Sequence, residues 1–159
     1  YINQELPTLC RRFFGIQPVP ERTYIMGLSM GGYGAMKCAF TAPQQYAGCA
    51  GFSSVAEIQA ELPQLCRWHE DQAIFPHGIV PPQDDLFDLV EKFRDGTCPM
   101  PRLFLACGQQ DSLYPANLRL RDTLQAMNWP LTWYEAPGDH NWFFWNDALG
   151  RAMKELLEN

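Results

Sequence analysis

Four short apolar runs punctuate the chain, separated by longer stretches whose apolar residues recur at helical spacing. The runs are Thr23-Tyr24-Ile25-Met26, Cys49 to Phe52, Pro101 to Cys107, and Leu131 to Glu135, and each has the length of a buried strand. Helices are predicted for residues 1–14, where Ile2, Leu6, Leu9 and Phe13 share a face and Gly15 is the stop. Further helices are predicted from Gly32 to Phe40, from Leu86 to Phe93 after the acidic turn Asp84-Asp85, and from Trp142 to Leu157. This is the pattern of an α/β domain spanning residues 1–159.

The stretch 53–100 is the least regular. It carries Pro63, Pro76, Pro81, Pro82 and Pro99 with Trp68 and Phe75, and two readings are open: a cap over a site, or a crossover between strands. In the cluster Trp142-Phe143-Phe144-Trp145 most rings are expected to pack as core, with one at most facing substrate.

Gly27-Leu28-Ser29-Met30-Gly31 lies where the first strand gives way to a helix, and it has the G-x-S-x-G form of a nucleophile elbow. A serine on so tight a turn is held in a strained conformation with its hydroxyl lifted clear of the sheet. Small neighbours let the chain turn, and Gly27, Gly31 and Gly32 supply them. The first helical turn then aims free N–H groups, Met30's among them, at the place where an oxyanion would form. The motif alone also occurs as an ordinary glycine turn.

Two further residues extend the pattern. Asp111 follows the third strand in the turn Gly108-Gln109-Gln110-Asp111, and His140 follows the fourth in Ala136-Pro137-Gly138-Asp139-His140. Catalytic groups gather at such carboxyl strand ends in parallel sheets, and the order Ser, Asp, His is that of an α/β-hydrolase triad. Alone, Asp111 reads equally as a helix cap. His69 and His77 fall between the second and third strands, wrong for the base, and read as lid or surface residues. Asp139 adjoins His140, but neighbours in an extended loop point apart, so Asp111 is the better partner; Asp147 and Asp122 are the other candidates.

These motifs, with Phe52-Ser53-Ser54 and Asn141-Trp142-Phe143-Phe144-Trp145, resemble the esterase D group of α/β-hydrolases, which includes S-formylglutathione hydrolases, carboxylesterases, feruloyl and acetylxylan esterases and mycolyltransferases. The resemblance implies a three-layer α/β-hydrolase sandwich with a mostly parallel sheet. It implies Ser29 as nucleophile, Asp111 as orienting acid, His140 as base and Met30 N–H as an oxyanion donor. The expected reaction is serine carboxylic-ester hydrolysis of short-chain acyl or aryl esters through an acyl-enzyme, with no metal or organic cofactor. Leu28 stands where S-formylglutathione hydrolases carry a histidine, which leans toward the carboxylesterase branch. An acyltransferase, a thioesterase of S-formylglutathione hydrolase type, and a non-catalytic binding domain are the alternatives.

Length changes the picture. At 159 residues, 47% hydrophobic, the chain is ample for one core yet short for this fold. The family's sheet has strands before the elbow, and the second oxyanion donor comes from a loop among them. Nothing before Thr23 reads as that loop, so the sheet is expected to be incomplete on its N-terminal side and the chain to be the C-terminal part of a longer polypeptide. Pairing with that segment, or with a second copy, follows as an expectation.

A net charge of −6, with 12 scattered Lys and Arg, argues against nucleic acid or an anionic membrane surface as partner. A small-molecule ester is the expected partner. Cys10, Cys38, Cys49, Cys66, Cys98 and Cys107 show no zinc-type spacing and read as reduced thiols in a cytoplasmic protein, with a signal peptide left open.

Overall fold

The computed structural model describes residues 1–65 and 73–158. Strands β1 (Tyr24–Leu28), β2 (Gly48–Phe52), β3 (Arg102–Gly108) and β4 (Leu131–Ala136) form one sheet in the order β1-β2-β3-β4, with every neighbouring pair parallel. Parallel neighbours require crossovers, and helices supply them. Helix α2 (Met30–Thr41) joins β1 to β2, α3 (Ile58–Leu65) and α4 (Leu86–Glu91) lie between β2 and β3, and α5 (Tyr114–Ala126) joins β3 to β4. Helix α1 (Glu5–Phe14) precedes the sheet and α6 (Trp142–Leu157) follows it.

Period-two alternation along β3 divides the core. Leu103 and Leu105 face a cluster with Met36 and Phe40 of α2, Leu86 and Val90 of α4, and Leu120 and Leu124 of α5. Phe104 and Ala106 face the opposite way, onto Phe144, Ala148, Ala152 and Leu156 of α6. The sheet is therefore the middle of three layers. Strand β2 is wholly buried and β3 nearly so, while β1 and β4 are half-buried along their length, as edge strands must be.

Helix α4 belongs to the first layer. Phe93, just beyond it, lies 6.1 Å from Phe40 and 4.6 Å from Trp129, edge to face. Asp85 caps α4, accepting from the Phe87 and Asp88 N–H groups. His69, Trp68 and Cys66 fall outside the described residues. His77 is exposed in a left-handed conformation, φ 63°.

Several elements depart from what the apolar pattern predicts. Strand β1 runs two residues further than expected, to Leu28, so the glycine motif begins inside the strand. Helices α3 and α5 escaped the periodicity analysis. In α5 the stripe of Ala116, Leu120 and Leu124 is interrupted by Asn117, which is itself buried. The ring cluster opening α6 does not pack mostly as core: Phe144 and Trp145 are buried, but Trp142 is 61% and Phe143 93% exposed. Four successive residues at 100° intervals cannot share one face of a helix. Among the described residues, no helix is long and apolar enough to cross a membrane.

Candidate active site

Ser29 alone makes the turn between β1 and α2, with φ 54° and ψ −124°, a conformation costing a non-glycine residue about 1–3 kcal/mol. Hydrogen bonds hold it there. Its N–H donates to the Phe52 carbonyl at 2.9 Å, and its own carbonyl accepts from Gly32, Tyr33 and Val55 at 3.0, 3.3 and 3.3 Å. A Cβ on Gly27 would collide with the Gly31 carbonyl, and one on Gly32 with the Ser54 hydroxyl. Gly31, expected to be needed for the same reason, has open space around its Cβ position, so packing does not demand it. Met30 is the first residue of α2, where an N–H has no acceptor within the helix.

The turn after β3 buries Asp111 to 3% exposure. A buried carboxylate must be hydrogen-bonded. Asp111 Oδ1 accepts from the Leu113 N–H at 2.9 Å, and Oδ2 lies 2.8 Å from His140 Nδ1. His140 Nε2 in turn lies 3.0 Å from Ser29 Oγ. In the tautomer whose Nδ1–H donates to Asp111, Nε2 presents its lone pair to the serine O–H.

The other carboxylates are occupied elsewhere. Asp139 accepts from the His140 backbone N–H, Asp147 from Tyr134 and Arg151, and Asp122 pairs with Arg121. Among the described residues, no three His, Cys, Asp or Glu side chains converge as metal ligands.

Three sets of hydrogen bonds that no local motif announces fix the loops. Gln110 brackets Gly138: its N–H donates to the Gly138 carbonyl at 2.9 Å, and its Oε1 accepts from the Gly138 N–H at 2.6 Å. The aspartate turn is thereby tied to the histidine loop. Asn141 then starts α6 by accepting from the Phe143 and Phe144 N–H groups. Asn117 of α5 donates to the Ser54 carbonyl at 2.7 Å and accepts from its N–H at 3.3 Å, anchoring the chain beyond β2. The Ser53-Ser54 pair after a strand was a visible signal, but nothing in the sequence links it to Asn117 or Trp145.

Chemically, this is a hydroxyl, an imidazole and a buried carboxylate in series, beside a helix N-terminus. Such a series can take a proton from the hydroxyl and stabilise negative charge on an attacked carbonyl oxygen.

The known proteins that this chain resembles are esterases and serine hydrolases. The family model described as "Putative esterase" matches residues 1–97. The chain is 28% identical to an acetyl esterase of Caldicellulosiruptor saccharolyticus over 163 residues, covering 97% of this chain and 61% of that protein. It is 37% identical to the S-formylglutathione hydrolase of Bos taurus over 68 residues, 43% of this chain and 22% of the relative. Among solved structures, the fluorophosphonate-binding serine hydrolase FphF of Staphylococcus aureus superposes with a TM-score of 0.84 at 28% identity, over 98% of this chain and 62% of that one. The chain thus spans less than two thirds of the length of these relatives.

Proposed function

The chain belongs to the esterase family, and from that premise we propose that it carries the reacting residues of a serine carboxylic-ester hydrolase. The observation that carries the reading is the continuous series from Asp111 through His140 to Ser29, at 2.8 and 3.0 Å, ending on a strained serine at a helix N-terminus. His140 Nε2 takes the proton as Ser29 Oγ bonds to the ester carbonyl carbon, and the carbonyl oxygen becomes an oxyanion facing the Met30 N–H. Collapse expels the alcohol, which leaves with the proton from His140, and Ser29 is acylated. Water deprotonated by His140 then attacks the acyl-enzyme, releasing the acid and restoring the serine. Asp111 keeps the Nδ1 proton in place and stabilises the imidazolium formed in both halves.

Similarity to an acetyl esterase supports a short acyl group. A fluorophosphonate probe should label the wild type and leave Ser29→Ala unlabelled. Hydrolysis of p-nitrophenyl acetate should fall by about three to four orders of magnitude in Asp111→Asn, and by at least as much in His140→Ala. Labelling of Ser29→Ala at the wild-type rate would remove the assignment.

A further inference from the structure

We propose that Ser53 is a positioning residue for His140: its hydroxyl accepts the Trp145 indole N–H and so fixes the ring against which the imidazole packs. The inference rests on His140 being the base. Ser53 follows β2 directly, is fully buried, and adopts φ 45°. Its N–H donates to the Ala106 carbonyl at 2.7 Å, one step beyond the β2–β3 ladder, so the backbone there is pinned by the sheet. Glycine would occupy that conformation without strain. A serine held in it against its preference points to a use for the hydroxyl.

The use is visible in the contacts. Ser53 Oγ accepts from Trp145 Nε1 at 3.1 Å and faces Cys107 Sγ at 3.9 Å. Burial raises the Cys107 thiol to about 12, so it keeps its proton and is the second donor to the same oxygen. With both acceptor positions filled, the hydroxyl has one orientation. Trp145, 8% exposed, meets the His140 ring at a centroid distance of 4.9 Å and an interplanar angle of 86°. A buried indole N–H needs an acceptor, and Ser53 Oγ is the one it has. The ring nitrogens of an imidazole direct their N–H and lone pair in the ring plane, so the two ring hydrogen bonds of His140 hold it along one line. They leave the ring free to rock about the line joining Asp111 to Ser29, and the perpendicular contact with Trp145 is what opposes that rocking. Ser53 therefore acts on the base through one intervening ring, without touching substrate.

The test compares Ser53→Gly, Ser53→Ala, Trp145→Phe and the double variant Ser53→Ala/Trp145→Phe in the full chain. Ser53→Gly relieves the backbone strain and Ser53→Ala keeps it, so the two should differ in Tm. Both should nonetheless be labelled by a fluorophosphonate about tenfold more slowly than wild type, because a loosened base loses part of its alignment. Trp145→Phe removes the donor, so the double variant should label no more slowly than Trp145→Phe alone. Wild-type labelling in Ser53→Gly, or full additivity in the double variant, would overturn the proposal. A second readout is independent of reactivity. The His140 Nδ1 proton, seen by NMR, should exchange with water about tenfold faster in Ser53→Gly than in wild type, since its bond to Asp111 opens more often. If the wild type failed to label but this exchange difference appeared, the hydrolase reading would fall and the positioning role would stand; equal exchange would sink the positioning role.

Discussion

Gly108→Ala isolates the contact between the two loops that carry Asp111 and His140. Gly108 ends β3 and is buried, and a Cβ built there lies 2.6 Å from the Gly138 carbonyl carbon. The Gly138 carbonyl oxygen lies nearer still, and ordinary contact begins at 3.4 Å, so one loop must retreat by about 1 Å. Gly138 cannot retreat freely. It is bonded to Gln110 on both its N–H and its carbonyl, and a Cβ on Gly138 itself would press on Phe144. The displacement passes to His140, two residues on, whose ring spans 2.8 Å to Asp111 and 3.0 Å to Ser29. A misplacement approaching 1 Å costs about a hundredfold in rate, and overpacking costs about 1–3 kcal/mol of stability. At about 2–4 °C per kcal/mol for a domain of this size, Tm should fall by several degrees. The assay is the second-order rate of fluorophosphonate labelling beside p-nitrophenyl acetate turnover and a thermal melt. The loss should lie in kcat, with KM little changed, because the methyl group lies under the loops. A variant that melts several degrees lower yet labels at the wild-type rate would refute the coupling of Gly138 to the imidazole.

Other perturbations read separate parts of the fold. Phe144→Ala should cost about 3–5 kcal/mol by emptying a buried site, whereas Phe143→Ala, on the exposed face of the same helix, should stay within about 0.5 kcal/mol in the same denaturant titrations. The Cys107 thiol, buried and raised from 9.0 to about 12, stays neutral in the folded chain while it ionises in the unfolded one. Its stabilisation is complete below pH 9 and is lost as pH rises toward 12, at about 1.4 kcal/mol per pH unit; the slope of stability against pH in that window should flatten in Cys107→Ala. Finally, β1 offers an open edge beside the exposed Leu6, Leu9, Phe13 and Val19 and a groove of about 590 Å³ lined by Ile2, Leu6, Ile16 and Ile25. The chain by itself should associate along this face, and Phe13→Glu with Leu6→Glu should shift the mass seen by light scattering toward monomer.

What could be read in advance was whatever local chemistry determines. Gly27 and Ser29 declare a strand-to-helix turn because few residues tolerate it, and a strand followed at once by a loop aspartate or histidine places those groups at the carboxyl edge of a sheet. Helix α6, expected from Trp142 to Leu157 on its apolar spacing, spans those residues. Helix α5 was not expected, since Asn117 occupies a core position, where its amide is satisfied by the Leu113 carbonyl and by Ser54, 63 residues away in sequence. The same limit hid the pairing of Ser53 with Trp145 and of Gln110 with Gly138. Each joins residues that no local pattern relates, and each exists only once the strands are set in order.

That order explains the division of roles. In a wholly parallel sheet all carboxyl ends open on one edge, at steps of about 4.8 Å per strand. Ser29 follows β1, Ser53 follows β2, Asp111 follows β3 and His140 follows β4, and the strands lie side by side in that sequence. Ser29 and Asp111 are thus two steps apart, about 10 Å at the backbone, too far for direct contact. The imidazole from β4 reaches back across both and closes the gap at 2.8 and 3.0 Å. Between β1 and β3 lies the end of β2, which Ser53 follows directly. Ser53 reaches the imidazole through Trp145, which α6 delivers from the opposite layer. Ser29 and Ser53 share a positive φ directly after a strand, and each hydroxyl meets a ring of the same cluster: Ser29 the imidazole, Ser53 the indole packed against it.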